Sequence, residues 1–256
     1  MEDPRIRPMG LSDRRILLTG ATSDLGLSIA ALAARLGAKL ALTGRDPVAL
    51  KAALDALPGE GHAAYPFDFE QTDAIRSFVK TVTADGPLAG LVWCAGKHRL
   101  APLAVTKPAH QGSLLTLNYV APIELIRHVC KKSAAPPEGG PSIVAISTIA
   151  ARTAQPGLVA YGASKAALTS AVRTLAVEYA GRGYRMNTVS PGWVATRAAD
   201  AIHAGQSSEQ LAAMEGQYPL GVGQPEDVAN AVCFLLSPAS RWITGIDLVL
   251  DGGRTA

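Results

Sequence analysis

The chain reads as a doubly wound α/β domain, a parallel sheet of seven strands with helices on both faces. Three observations predict it. Short apolar runs alternate with helical stretches through most of the sequence, the βαβα pattern that builds a parallel sheet. The residues are 48% hydrophobic but only 5% aromatic, so Ala, Leu and Val do the filling, as helices packed closely on a sheet require. A length of 256 residues suits one large domain with a sizeable core.

Taken in order, residues 1–13 are expected to be a flexible lead, and residues 14–256 the domain. Residues 16–19 are a strand candidate, followed by a turn and a helix on which Leu25, Ile29, Leu32 and Leu36 share a face before Gly37 ends it. Residues 39–43 are the second strand; Asp46 with Pro47 starts a helix buried through Leu50, Ala53, Leu54 and Leu57. The alternation continues with strand 63–67, helix 72–83, strand 91–94, helix 111–132 and, after a surface loop at 133–140, strand 143–146. Helix 161–180, strand 186–189, helix 225–236 and strand 248–250 complete it. Residues 197–224 break the alternation and are expected to form a substrate lid of one or two short helices.

The net charge is +3 with no long basic run, so no nucleic-acid partner is expected. Cys94, Cys130 and Cys233 are widely spaced in apolar surroundings, which predicts free buried thiols in a reducing, cytoplasmic setting. The histidines do not cluster and no metal site is expected. The N-terminal residues lack the apolar core of a signal peptide or membrane span.

Two stretches carry chemistry. Tyr161 and Lys165 are four apart on one helical face. A nearby ammonium favours the phenolate, making the tyrosine a usable proton donor and acceptor. The turn from Gly20 to Gly26 joins the first strand to the first helix, where a dinucleotide pyrophosphate meets free helix N–H groups.

With both in place the sequence resembles the short-chain dehydrogenase/reductase family, a Rossmann-like fold, over nearly its whole length and most closely the β-ketoacyl carrier-protein reductases. The family pattern Thr-Gly-x-x-x-Gly-x-Gly is matched by Thr19, Gly20 and Gly26, with Asp24 in place of the middle glycine. The resemblance implies that Gly20, Thr22, Ser23, Asp24, Leu25 and Gly26 line the cofactor, with Asp68 and Phe69 near the adenine. Ala95 and Gly96 survive from the family's Asn-Asn-Ala-Gly, where Trp93 and Cys94 replace the asparagines. Pro191, Gly192, Val194 and Thr196 match the turn that meets the nicotinamide. Arg45 stands where a 2′-phosphate would be paired, so NADP(H) is expected, with NAD(H) as the alternative and Asp46 as the rival residue.

The same resemblance makes Tyr161 the proton donor and Lys165 the group that lowers its pKa and holds the nicotinamide ribose. Asn118 would anchor a proton-relay water. A hydroxyl thirteen residues before the tyrosine falls at Thr148, with Ser147 its neighbour; spacing favours Thr148. The expected function is reduction of a ketone, possible substrates including a 3-oxoacyl thioester, with a secondary-alcohol or steroid-type dehydrogenase, and a non-catalytic dinucleotide sensor, as alternatives. An extended sugar-nucleotide epimerase would need a larger C-terminal domain. The pocket is expected to be lined by residues 150–159, Trp193 and residues 197–224, mostly small or apolar. Arg99, Lys131 and Lys132 could hold an acidic carrier, and the resemblance suggests a homotetramer.

Overall fold

The computed structural model describes residues 9–131, 133–136 and 140–256. Seven strands, β1 (Arg15–Thr19), β2 (Lys39–Thr43), β3 (Ala63–Ala64), β4 (Gly90–Trp93), β5 (Ser142–Ile146), β6 (Arg185–Pro191) and β7 (Asp247–Leu250), form one parallel sheet in the order β3-β2-β1-β4-β5-β6-β7. The strands read as continuous apolar runs because both faces are covered. Alternate residues go to opposite cores: Ile16, Leu18, Val92, Val144 and Val189 to one, Leu17, Leu91, Trp93, Ile143 and Met186 to the other.

The helices divide accordingly. On the first face lie α1 (Asp24–Arg35), α2 (Pro47–Asp55) and α9 (Pro225–Leu236), through Ile29, Leu50, Val228 and Val232. On the second lie α3 (Ile75–Ala84), α5 (Ala121–Val129) and α6 (Val159–Ala180), through Phe78, Leu125, Leu168 and Val172. Two further short helices, α7 (Arg197–His203) and α8 (Ser208–Glu215), occupy the segment expected to form a lid. No helix of the described residues is long and apolar enough to cross a membrane.

Several boundaries differ from the sequence expectation. The regular third strand is only Ala63–Ala64, but its bonding to β2 runs on, with Tyr65 N–H and Phe67 N–H donating to Leu42 O and Gly44 O at 2.8 and 3.0 Å; Pro66 between them faces the outer edge, where its missing N–H costs nothing. The predicted helix 111–132 is three pieces: α4 (Pro108–Leu115), a π-helical turn (Thr116–Val120) and α5. The extra residue in that turn, just ahead of Pro122, re-aims Asn118 inward, and π-bulges recur at functional positions for this reason. Residues 9–13 are not a loose lead. Leu11 is fully buried, and its N–H donates to Leu36 O at 2.9 Å. Lys132 and part of the 133–140 loop lie outside the described residues.

The strand order reverses between β1 and β4, and crevices for ligands form at such switch points, beyond the strands' C-terminal ends. Thr19, the last residue of β1, sits opposite Trp93, and its buried Oγ1 accepts from both Cys94 N–H and Ala95 N–H at 3.1 Å. That one hydroxyl joins the two loops that leave the switch point. Thr19→Val should strand two amides and cost about 1–3 kcal/mol, lowering Tm by about 2–4 °C per kcal/mol in a domain of this size. Thermal melts would show it; a Tm within 1 °C of wild type would mean the two amides find other partners.

Candidate active site

The first loop at the switch point is the glycine turn. Gly20 has φ of 65°, and a Cβ there would stand 2.8 Å from Ala95 N. A Cβ on Gly26 would fall 2.2 Å from Gly20 O. Both positions therefore need glycine, and the bare backbone they leave is a cradle that a side chain would fill. Ser23 caps α1, accepting from Gly26 N–H at 3.1 Å and donating to Gly20 O at 2.8 Å. Asp24 brings no bare charge to this helix N-terminus. Arg197, at the start of α7, donates from Nε to Asp24 Oδ1 and from its backbone N–H to Oδ2, both at 2.7 Å, and reaches Thr22 O at 3.3 Å. The glycine turn and the lid segment are thus tied together.

At the end of β2, Gly44 lies against Thr22, which sets Arg45 beside the turn. Arg45 is exposed and makes no ion pair with a described residue. Asp46 is committed to α2, its Oδ1 accepting from Val48 N–H at 2.9 Å and Ala49 N–H at 3.2 Å. Asp68 Oδ1 accepts from Glu70 N–H at 3.0 Å. Phe69 turns its ring into the core against Phe78 and Trp93, leaving only its backbone for a ligand. The indole of Trp93 is wholly buried there as well, and Cys94 is only half-buried, unlike Cys130 and Cys233.

On the far side of the crevice, Pro191 ends β6 and Gly192 N–H donates to Leu250 O at 2.8 Å. Val194 makes an isolated bridge to Gly223, and Thr196 caps α7 by accepting from Ala199 N–H at 3.1 Å. Ala95 and Gly96 follow the end of β4, and Gly96 lies against both Asn118 Oδ1 and Lys165 Nζ.

The four residues expected to carry the chemistry meet here. Tyr161 and Lys165 lie one turn apart near the start of α6, and Thr148 follows the end of β5. The Thr148 side chain lies close enough to the Tyr161 phenol to oppose the rise in its pKa, while its Oγ1 accepts from Ala150 N–H at 3.3 Å and donates weakly to Pro191 O at 3.5 Å. Ser147 points the other way. It is buried, 2.8 Å from Thr169 Oγ1 and donating weakly to Lys165 O. Alternation along the strand end thus gives Thr148, not Ser147, to the phenol. The turn after Thr148 is pinned by Arg152, which pairs with the buried Asp247 at 2.7 Å; Thr188 and Ser190 donate to the same carboxylate at 2.7 and 2.6 Å.

Electrostatically the pair departs from the sequence expectation. Burial pushes the Tyr161 phenol up to about 12, opposed by the Thr148 hydrogen bond and not by Lys165. Burial also pushes Lys165 down to about 8, and its Nζ donates to Ile146 O at 2.8 Å. Desolvation disfavours the charged form of each, and neither group offsets it for the other. Asn118 is fully buried, accepting from Lys97 N–H and donating to Lys97 O, both at 2.9 Å, and donating to Ser164 Oγ at 3.0 Å.

Sequence reasoning did not single out His98, His203, Arg197 or Tyr218. His98 stacks edge-on to Tyr161, and His203 packs on Trp193. The only signal was position: His98 is two residues past Gly96, and the others lie in the predicted lid. Arg99 is exposed at the mouth, but Lys131 is not its neighbour. Lys131 follows α5 in a turn whose Ala134 O accepts from Leu88 N–H, just ahead of β4, at the opposite end of the sheet. The two do not form one basic patch.

Known proteins resemble this chain over nearly its whole length. The family model described as "Enoyl-(Acyl carrier protein) reductase" matches residues 20–255. Gluconate 5-dehydrogenase of Gluconobacter oxydans is 31% identical, over 96% of each chain. A short-chain type dehydrogenase/reductase from Mycobacterium ulcerans has a TM-score of 0.87 at 32% identity, covering 96% of this chain and 90% of that one. An NADPH-bound short-chain oxidoreductase from Pseudomonas aeruginosa, containing an atypical catalytic centre, has a TM-score of 0.88 at 29% identity, covering 96% and 98%. With the cradle, the switch point and the Tyr161–Lys165 pair in one crevice, the chain belongs to the short-chain dehydrogenase/reductase family, NAD(P)-dependent oxidoreductases acting on CH–OH and C=O groups.

Proposed function

We propose that the protein interconverts a ketone and a secondary alcohol with NADP(H), Tyr161 moving the proton. The observation that carries this reading is the convergence of the Thr148 hydroxyl and the Tyr161 phenol, with Lys165 buried one turn away. The cradle at Gly20 and Gly26 suits a pyrophosphate, with Asp68 and Phe69 toward the adenine and Ala95, Gly96, Pro191, Gly192, Val194 and Thr196 toward the nicotinamide. Nicotinamide dinucleotide, when bound, supplies the hydride in reduction and takes it up in oxidation.

The protein's own groups do the rest. A substrate oxygen between Thr148 and Tyr161 receives a hydrogen bond from the hydroxyl and the proton from the phenol as negative charge develops on it. A phenol held up near 12 keeps that proton until the oxygen is basic enough to take it. Lys165 and Asn118, which meet at Gly96, are placed to restore it. Residues 197–224, tied to the glycine turn by Arg197 and Asp24, exclude water from one side.

Arg45 supports NADP(H) over NAD(H): it is an exposed guanidinium beside the turn with no ion pair to a described residue, whereas the rival Asp46 is spent on capping α2. The NADPH-bound relative is consistent with that choice. A carrier-borne thioester has less support, because Arg99 and Lys131 stand at opposite ends of the sheet. The unpaired cysteines suit a cytoplasmic protein. A homotetramer would cover the exposed Val159 and Val177 of α6, Val120 beside it, and Trp242, 90% exposed, near the C-terminus.

Three measurements test these points. In NADPH-linked reduction of a ketone panel, Tyr161→Phe should lose about 10²–10⁴-fold in kcat while still binding NADPH; Thr148→Val should lose much of its turnover and Ser147→Ala far less. Full turnover in Tyr161→Phe would remove the phenol from the proton transfer, and tight NADPH binding with no turnover of any ketone would leave a dinucleotide sensor. Arg45→Ala should weaken NADPH by about tenfold or more, roughly 1.4 kcal/mol, with little change for NADH; equal losses would remove its role. Sedimentation velocity should show a tetramer, and a monomer at micromolar concentration would refute the assembly.

A further inference from the structure

The turn that carries Thr148 ends on a buried charge. The Thr148 hydroxyl has only long hydrogen bonds of its own, from Ala150 N–H at 3.3 Å and to Pro191 O at 3.5 Å. Its place is therefore set by the short 3-10 turn that follows, Ile149–Ala151, closed by Ala151 N–H to Thr148 O at 3.1 Å and Arg152 N–H to Ile149 O at 2.9 Å. A turn so short has little rigidity of its own. It lies directly on the helix of the tyrosine: a Cβ on Gly162, next to Tyr161, would stand 2.6 Å from Ala150 O. How the turn sits on α6 thus fixes how the Thr148 hydroxyl meets the phenol.

At the far end of the turn, Arg152 reaches Asp247, the first residue of the edge strand β7. The Asp247 side chain is 1% exposed. Its Oδ1 accepts from the Thr188 and Ser190 hydroxyls at 2.7 and 2.6 Å. Those two residues alternate with Val189 and share the face of Met186, the one that α6 covers. Oδ2 has no directed hydrogen bond; it faces the Arg152 guanidinium, whose Nε stands 2.7 Å away. Apolar side chains in place of such a buried pair are often neutral or stabilising, whereas loss of one partner alone is costly. Stability is therefore a weak reason for the pair. What it adds is direction: a carboxylate fixed by β6 and β7 gives the end of the turn one anchoring point. Ser190 leads into Pro191, whose carbonyl accepts from Thr148, so β6 meets the turn at both ends.

We infer that Arg152 and Asp247 are positioning residues for the proton transfer, holding the Thr148 hydroxyl beside the Tyr161 phenol from the edge of the sheet. The inference rests on the role proposed above for Thr148 and adds the residues that make it effective. Asp247 is closed to solvent and acts only through Arg152. A displacement of about 1 Å at a reacting group can cost roughly 10²-fold in rate. Here the loss falls on kcat, because the Thr148 hydrogen bond matters most as charge develops on the substrate oxygen.

Asp247→Asn is nearly isosteric. Its amide oxygen still accepts from Thr188 and Ser190, and only the charge facing Arg152 is gone. With NADPH and whichever ketone of the panel wild type reduces fastest, it should lower kcat about tenfold, with KM and the NADPH Kd within about twofold. Arg152→Gln should match it, Arg152→Lys should recover part of the loss, and the double variant Asp247→Asn/Arg152→Gln should be no slower than either alone. In a Thr148→Val background Asp247→Asn should lower kcat no further, whereas damage spread through the fold would add to the first loss. The Thr148 methyl signal in the NMR spectrum of threonine-labelled protein, identified by its disappearance in Thr148→Val, reads the displacement without cofactor or turnover. It should shift in Asp247→Asn. An unchanged kcat, an equal further loss in the Thr148→Val background, or a Thr148 signal that stays in place while that of Thr188 moves overturns the inference. Full turnover by Thr148→Val alone would instead remove the role of Thr148, and that single variant tells the two failures apart.

Discussion

The site depends on β1 and β4 lying side by side. Their parallel register sets Thr19 opposite Trp93, and the loops leaving the two strands diverge from that point. One side becomes the glycine turn and α1; the other becomes Cys94, Ala95, Gly96 and His98. Thr19 Oγ1 holds the second loop to the first by two amide bonds. Because both strands are buried on both faces, neither can slip without exposing one core and filling the other with backbone. The crevice is therefore as rigid as the sheet, although most of what lines it is loop.

Against that frame the side chains proposed to carry the chemistry are held by burial. Lys165 is 4% exposed and Asn118 fully buried, each bonded to backbone carbonyls of a different segment, Ile146 and Lys97. The π-helical turn lets Asn118 reach Lys97 and Ser164 at once; a regular helix would advance its side chain differently around the axis. Desolvation commits the phenol to its neutral form, with its pKa pushed up to about 12, and brings the ammonium down to about 8, closer to the balance between its charged and neutral forms. An amine so poised exchanges protons more readily than one fully committed to one state.

Where the chain departs from the pattern of its family, the structure supplies compensation at two positions. Asp24 stands in place of a glycine, yet its carboxylate is neutralised by Arg197 from the lid. Such a pair, 72% exposed on the arginine side, adds little to stability but links the turn to the segment that covers it. Thr148 replaces a serine without loss of its donor group. For Trp93 the structure shows a different outcome. Its indole fills the core with Phe69, and its Nε1 has no partner among the described residues.

Much of this was legible in the residues alone. The strand–helix alternation, the glycine turn and the four-residue spacing of Tyr161 and Lys165 are local patterns, set by backbone sterics and helix periodicity over a few residues. So is the capping role of Asp46. What the tertiary structure decided involves contacts between distant positions: Arg197 with Asp24, His98 with Tyr161, His203 with Trp193, and Ser147 turned onto Thr169 instead of the phenol. It also decided that Lys131 and Arg99 belong to opposite ends of the sheet, and that burial, not a neighbouring charge, governs Tyr161. Local periodicity fixes which face a side chain leaves by; only packing determines what it meets there and how much water remains around it.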